Sequence, residues 1–475
     1  MAGLNQAAVE RLRGYLRELK PGARALLIAE LERNILRGDN VTGAELILTE
    51  LRRSFRETGA NKSQRIGDHA RLFFQPLEPF LVDDAPDHKH RGRVARTALE
   101  PIWLWVSNTV MPDEARAFSD QVERALLSSD TDKAEQLARA FQDRAAERMQ
   151  EAVDAVKGND KARRQLGVQL GSPRAHEDVQ AVITVLKSRD ALAMLGMQLP
   201  GHIKTLTGAS LESVKALLDS PLASNSELFV YALVLVMSRM AAPWQLIRLA
   251  TKAAGSDDVD RISETPYSLT VSIALAELER MIGELATDLK SGRGIAVSAM
   301  LKDVHDAVRG LRTELDMSAE TMWGRQLAAI RSEISSLLSG EIELMPGRVR
   351  RLMRPRPVKE IGPGSVIDPD EVAEAEALIS FVAACRNYAG ELAINEVTQR
   401  TFSELQQFLD TGTRALLDAL RVAGDVERPF RQSQVDAAVR FCAQVFGQEY
   451  ASLLTKAAEV ATHAERKAAA AAARG

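Results

Sequence analysis

Cysteine is nearly absent from this chain: Cys385 and Cys442 are the only two in 475 residues. Two cannot make a disulfide framework. Each sits inside an apolar helical pattern, so both read as reduced core thiols rather than a redox pair. Aromatic side chains are scarce at 5%, which argues against a broad base-stacking platform for nucleic acid. Neither sign of charge dominates, the formal net charge being −4. A surface wholly built to hold nucleic acid is therefore disfavoured, although a local basic patch is not. The longest uninterrupted apolar run, Leu228 to Met237, has ten residues, whereas a membrane span needs about 20. It reads as a helix buried all round in a helical core. Met1-Ala2-Gly3-Leu4-Asn5-Gln6 has neither the basic nor the apolar region of a signal peptide. No membrane association and a cytoplasmic location are the expectations.

Apolar residues make up 45% of the chain and charged residues 27%, the balance of a folded globular protein. The length calls for roughly two to four domains. Helical periodicity runs almost throughout, and no segment sustains the alternation of a strand. Leu12, Leu16 and Leu19 share one face before Pro21-Gly22; Leu27, Ile28, Leu31 and Ile35 form a second helix ended by Gly38. Thr42 and Glu45 make a capping box for a third, which carries Leu48, Leu51 and Phe55. Glu57 to Gly67 reads as a loop. Leu77-Glu78-Pro79-Phe80 is echoed by Leu99-Glu100-Pro101-Ile102, as if two helices entered one core alike, each with proline in its first turn.

The clearest pattern lies at 271–338. Val271, Leu275, Leu278, Ile282, Leu285 and Leu289 are spaced by fours and threes. So are Val297, Leu301, Val304, Val308, Leu311 and Leu315, and then Trp323, Leu327, Ile330, Ile334 and Leu337. Tight turns between equal ladders predict an antiparallel bundle within the chain; a seam between chains, and so a homo-oligomer, is the alternative. From Glu341 to Pro369 five prolines and three glycines interrupt the pattern, which predicts an inter-domain linker. Order resumes at Asp368-Pro369-Asp370-Glu371, a capping residue followed by a first-turn proline and acid. Ser433 is expected to cap a last helix carrying Val439, Cys442, Phe446, Leu453 and Val460. The alanine run 468–473 offers little to pack and should fray.

No chemical motif is complete. The phosphate-binding Gly-x-x-x-x-Gly-Lys loop and the Gly-x-Ser-x-Gly elbow are missing. His176-Glu177-Asp178-Val179-Gln180 has glutamine where a zinc-protease helix needs its second histidine. Two clusters remain. Asp83, Asp84, Asp87, His88 and His90 bring hard oxygen and nitrogen donors into one short loop, a candidate metal site opposed by Lys89, Arg91 and Arg93. Arg348, Arg350, Arg351, Arg354, Arg356 and Lys359 form a candidate site for an anion or an acidic partner surface, since guanidinium forks grip phosphate and carboxylate.

The sequence thus predicts an all-α, multi-domain protein of helical bundles joined by a Pro/Arg-rich linker. Its expected units are 1–57, a main region 68–340, the linker 341–367, a C-terminal domain 368–467 and a tail 468–475. The functional reading is a non-enzymatic scaffold, adaptor or regulator that meets a protein partner, with no cofactor. The alternative is an enzyme or small-ligand binder with a pocket in the 174–340 core, where Leu228–Met237 and Trp244 could line a cavity. A nucleic-acid regulator acting through 348–359 comes third.

Overall fold

The recurrent spacing of three and four produces helix nearly everywhere: in the computed structural model 81% of the described residues are helical and 2% are strand. The structure describes residues 68–83, 90–171, 173–220, 226–290, 294–354, 356–362 and 364–472, with Leu27, Leu31 and Ile47. The expected N-terminal unit 1–57, its capping box and the loop after it otherwise lie outside the described residues. So does the expected turn at 291–293. No described helix is long and apolar enough to cross a membrane.

Two compact units form. One comprises Met1–Arg280 with Gly310–Met317, the other Met281–Arg309 with Ser318–Gly475. In the first, α1 (Asp68–Phe74) runs into a 3-10 turn (Gln75–Phe80) and then β1 (Leu81–Val82), which pairs in parallel with β2 (Val94–Ala95). Helix α2 (Leu99–Trp105) is followed by α3 (Pro112–Leu127), α4 (Thr131–Asp154), α5 (Asp160–Leu170) and α6 (Pro173–Gln198). The echo at 77–80 and 99–102 has a packing basis, since Leu77, Phe80, Leu99 and Ile102 are all buried. The first copy is nevertheless a 3-10 turn rather than an α-helix. Two prolines within four residues, Pro76 and Pro79, remove the amides a longer helix would need.

Helix α4 begins at Asp130, whose carboxylate accepts from the Lys133 amide at 3.1 Å. Its buried face alternates small and large: Ala134, Ala138, Phe141, Ala145, Ala146 and Met149. Phe141 stacks on Phe118 of α3 at 4.4 Å between ring centres and meets Phe73 of α1 edge-on at 5.5 Å. After α7 (Gly208–Leu218) comes α8 (Ser226–Ser238), which holds the apolar run; Leu228–Met237 is buried except for half-exposed Val230. The 90–93 loop lies against it. Gly92 has φ +73°, and a Cβ there would sit 2.8 Å from Val234, so both the backbone and the close approach require glycine.

Helices α9 (Arg248–Ala254), α10 (Val259–Ser263), α11 (Ser268–Lys290) and α12 (Gly294–Glu314) complete this part. The ladder side chains of α11 and α12 are buried except Leu289, which is half-exposed. The bundle expected at 271–338 does not coincide with either unit. Each of α11 and α12 divides between the two units, because an apolar ladder demands cover without specifying what supplies it. Gly310 of α12 lies under Trp244, and a Cβ would fall 2.4 Å from the ring. Alanine normally favours a helix over glycine by about 1 kcal/mol, but forcing a methyl into a packed site costs about 1–3 kcal/mol. Gly310→Ala is therefore expected to lower the thermal midpoint, and a rise would show that the indole has free space to move into.

In the second unit α13 (Met322–Met353) is followed by α14 (Pro369–Tyr388), α15 (Asn395–Arg421), α16 (Arg428–Phe446) and α17 (Gln448–Ala472). The helix expected to stop at 340 continues through Pro346 to Met353. An interior proline costs about 3 kcal/mol or more. Leu338, Ile342, Met345, Val349 and Met353 extend the apolar face and are all buried, at roughly 1.5–3 kcal/mol for each large side chain. Burial therefore outweighs the proline. Nor does the rest of 341–367 run between units: it lies wholly within the second. The end of α13 is held there by buried Gln434, whose amide nitrogen donates to the Leu352 carbonyl at 3.3 Å and the Arg354 carbonyl at 3.1 Å, satisfying acceptors a helix end leaves open.

Helix α14 starts as its sequence predicts, with the Asp368 carboxylate accepting from the Asp370 amide at 2.9 Å. Ser433 is corrected: it lies inside α16 and donates to the Phe430 carbonyl. The expected single last helix is two, broken at Gly447 with φ +91°, a conformation glycine adopts without strain. Leu453 and Val460 of α17 are exposed rather than core. The alanine run is helical as far as Ala472.

Candidate functional site

A cavity of about 400 Å³ opens in the first unit between the 3-10 turn 75–80, α4, α6 and the end of α8. Local sequence makes the space. Ala138 on α4 and Ala193 and Gly196 on α6 are small where larger side chains would fill it, and Pro76, Pro79, Phe80, Leu192 and Leu235 give it an apolar lining. Phe80 is fixed edge-on against Tyr231, 5.3 Å between ring centres. Burial, then the nearby carboxylates of Asp178 and Glu227, push the Tyr231 phenol well above its ordinary range. It therefore remains neutral.

The polar part of the lining consists of Gln75, Glu135, Arg139, Gln142, Arg189, Asp190 and Arg239. Arg189 grips Asp143 with two parallel bonds of 2.6 and 3.0 Å. The hydrogen bond it donates to Asp143 outweighs burial and holds this guanidinium further into its charged range. Arg139 lies 3.7 Å from Asp190. Gln142 is buried, and its amide nitrogen donates to the carbonyls of Leu72 at 3.1 Å and Phe73 at 3.0 Å. Those two acceptors fix the amide orientation, since a flipped amide would set oxygen against oxygen.

The cavity departs from the pocket expected in 174–340. Half its wall comes from 75–142, and Trp244 is instead packed over Gly310 with Arg248 above its ring at 5.2 Å. Leu235, from the apolar run, does line it. Only the small-residue spacing Ala193-x-x-Gly196 was a sequence signal; partners a hundred residues apart leave none.

The candidate metal residues do not converge among the described residues. Asp84, Asp87 and His88 lie outside them. Asp83 accepts from Arg96 at 2.6 Å, and His90 is buried with Nε2 3.1 Å from Glu279 of α11. Beside it Arg93 donates to Glu277 at 2.9 Å, and Arg280 reaches the same carboxylate at 2.7 Å. This loop thus enters a largely buried ionic cluster on α11. No group of three or more potential metal ligands occurs among the described residues.

The candidate anion cluster is spread along α13 and the segment after it. Arg348 pairs with Glu374 beside a hollow of about 230 Å³ that Arg351 also lines. Arg350 is 3.7 Å from Glu404 and lies over the Phe408 ring. Arg356 covers Phe430 while its carbonyl accepts from Arg431. Arg354 is at the helix end, and Lys359 is in a 3-10 turn, exposed. For Arg348 and Arg350 the acidic surface is this chain's own. Cys385 and Cys442 are free and buried, and burial pushes both thiols above their ordinary range. The chain matches no family model, no curated protein and no solved structure.

Proposed function

We propose that this protein is a helical small-ligand binder, with the cavity between the 75–80 turn, α4, α6 and α8 as its site. The observation that carries the reading is the cavity itself: about 400 Å³, apolar in the main, with a few polar groups at fixed positions. Small-molecule sites have this size and make-up. Its lining offers carboxylates and guanidiniums, groups that hold a polar or charged part of a ligand by charge-assisted hydrogen bonds. Protein contact, the reading that sequence composition favours, draws support from exposed apolar side chains such as Met194, Leu127 and Val422. Scattered single residues of this kind are common on any surface, so the cavity ranks first.

The test is saturable binding of a neutral apolar dye, N-phenyl-1-naphthylamine, whose fluorescence rises on leaving water. Ala193→Trp or Gly196→Leu should fill the cavity and abolish the signal with the helical circular dichroism unchanged. Binding that is absent in the wild type, or unaltered in both variants, overturns the assignment.

A further inference from the structure

Exposed sulfur in the first unit is gathered at the mouth of the cavity. Among the described residues of that unit, Met111, Met149, Met237 and Met240 are buried and Met317 is half-buried. The two exposed methionines are Met194 at 46% and Met197 at 78%, and both belong to α6. Residues three apart are neighbours on a helix surface, so the pair forms one thioether patch. The chain's only thiols, Cys385 and Cys442, are buried in the second unit and do not compete for an oxidant.

Met197 is also part of the cavity wall, together with Ala193 and Gly196. A long helical side chain lies back over the turn before its own Cα, which for Met197 is the turn that holds Ala193. The thioether of the lining thus overlies the small residues that leave the space. An exposed methionine has an ordinary explanation, since single apolar residues occur on any surface. That explanation does not account for its place beside an apolar opening, where a flexible, polarisable side chain can fill the mouth or clear it.

We propose that Met197 is an oxidation site that controls the cavity: a hydroperoxide converts its thioether to the sulfoxide, and ligand affinity falls. The sulfur lone pair attacks one peroxide oxygen. An S–O bond forms as the O–O bond breaks, and the departing oxygen takes the proton and leaves as water or an alcohol. Sulfur loses two electrons and the peroxide gains them. The product sets a polar, chiral group where the wall was apolar, and a methionine sulfoxide reductase reverses it. This rests on the ligand-binding reading above, and the experiment separates the two.

The full chain is treated with graded amounts of hydrogen peroxide and then freed of it. Trypsin releases the peptide 190–204, which carries both α6 methionines and no other, and fragment masses locate each added oxygen. Met197 should be oxidised ahead of buried Met149 and alongside Met322, which is 66% exposed in the second unit. Binding of N-phenyl-1-naphthylamine should weaken about fourfold in step with the Met197 sulfoxide, the worth of one buried methylene. Met197→Leu, a volume-conserving change at an exposed position, should bind the dye equally before and after treatment. Met322→Leu should lose affinity as the wild type does. Oxidation of Met149 before Met197, unchanged dye binding with Met197 fully oxidised, or an equal loss in Met197→Leu overturns the oxidation site, while binding by the untreated chain sustains the cavity reading. A wild type that binds no dye removes both.

Discussion

Glu277→Ala should destabilise the protein by about 3–5 kcal/mol, because it removes the buried anion that lies between two partly buried guanidiniums. Glu277 is itself buried on α11, with Arg93 at 2.9 Å and Arg280 at 2.7 Å. Burial alone would raise its pKa. The charges of Arg280 and Arg93 outweigh burial and hold it below the ordinary 4.5. A carboxylate with a lowered folded-state pKa contributes stability that is fully present above its unfolded value and is lost as pH falls through the folded one. Glu277→Gln should therefore flatten the fall in stability that the wild type shows below about pH 4.5. Urea melts across that range measure both effects. A loss under about 1 kcal/mol for the alanine variant, the level of an exposed pair, would show that water reaches the cluster.

Phe141→Ala should cost about 3–5 kcal/mol, the range for removing a buried aromatic from a core that closes only partly over the gap. Phe141 is fully buried and is the ring on which α1, α3 and α4 meet, stacked on Phe118 at 4.4 Å. Phe141→Leu keeps most of the volume and should cost distinctly less. Near-ultraviolet circular dichroism gives a second readout, since losing the ring changes the environment of Phe118 and of Trp103, whose ring centre lies 6.2 Å from that of Phe141. Equal losses for Ala and Leu would mean that ring geometry, rather than filled volume, holds these helices together.

The helices were legible because burial on one face imposes a spacing that survives in the sequence. Asp368-Pro369 marked a start correctly, since capping is a local interaction. Pro346 and Ser433 misled for the same reason in reverse: local signals were outvoted by the buried faces of α13 and α16. The ladders of α11 and α12 told which side chains are covered, but not which neighbours cover them. Glu277 and Glu279 stand beside Leu278 and look like ordinary solvated charge; only the fold brings His90 and Arg93 to them. The cavity was harder still. Its lining comes from four separate stretches, and a space left by Ala138, Ala193 and Gly196 has no letter of its own.

The shared use of α11 and α12 has a consequence for the order in which the protein can be made. The first unit is not contiguous: it needs Gly310–Met317, where Glu314 binds Arg248 at 2.6 Å and the Asp316 amide donates to the Asp257 carbonyl at 3.1 Å. A ribosome releases residues 281–309, which belong to the other unit, before that closing piece. Domains usually fold as units, N-terminal first, during synthesis. Here the N-terminal unit must wait with α9 and α10 unfinished while foreign chain emerges. A nascent chain arrested with residues 281–309 outside the exit tunnel and Gly310–Met317 still inside it should be more open to protease around 248–263 than one arrested far enough downstream for residue 317 to have cleared the tunnel.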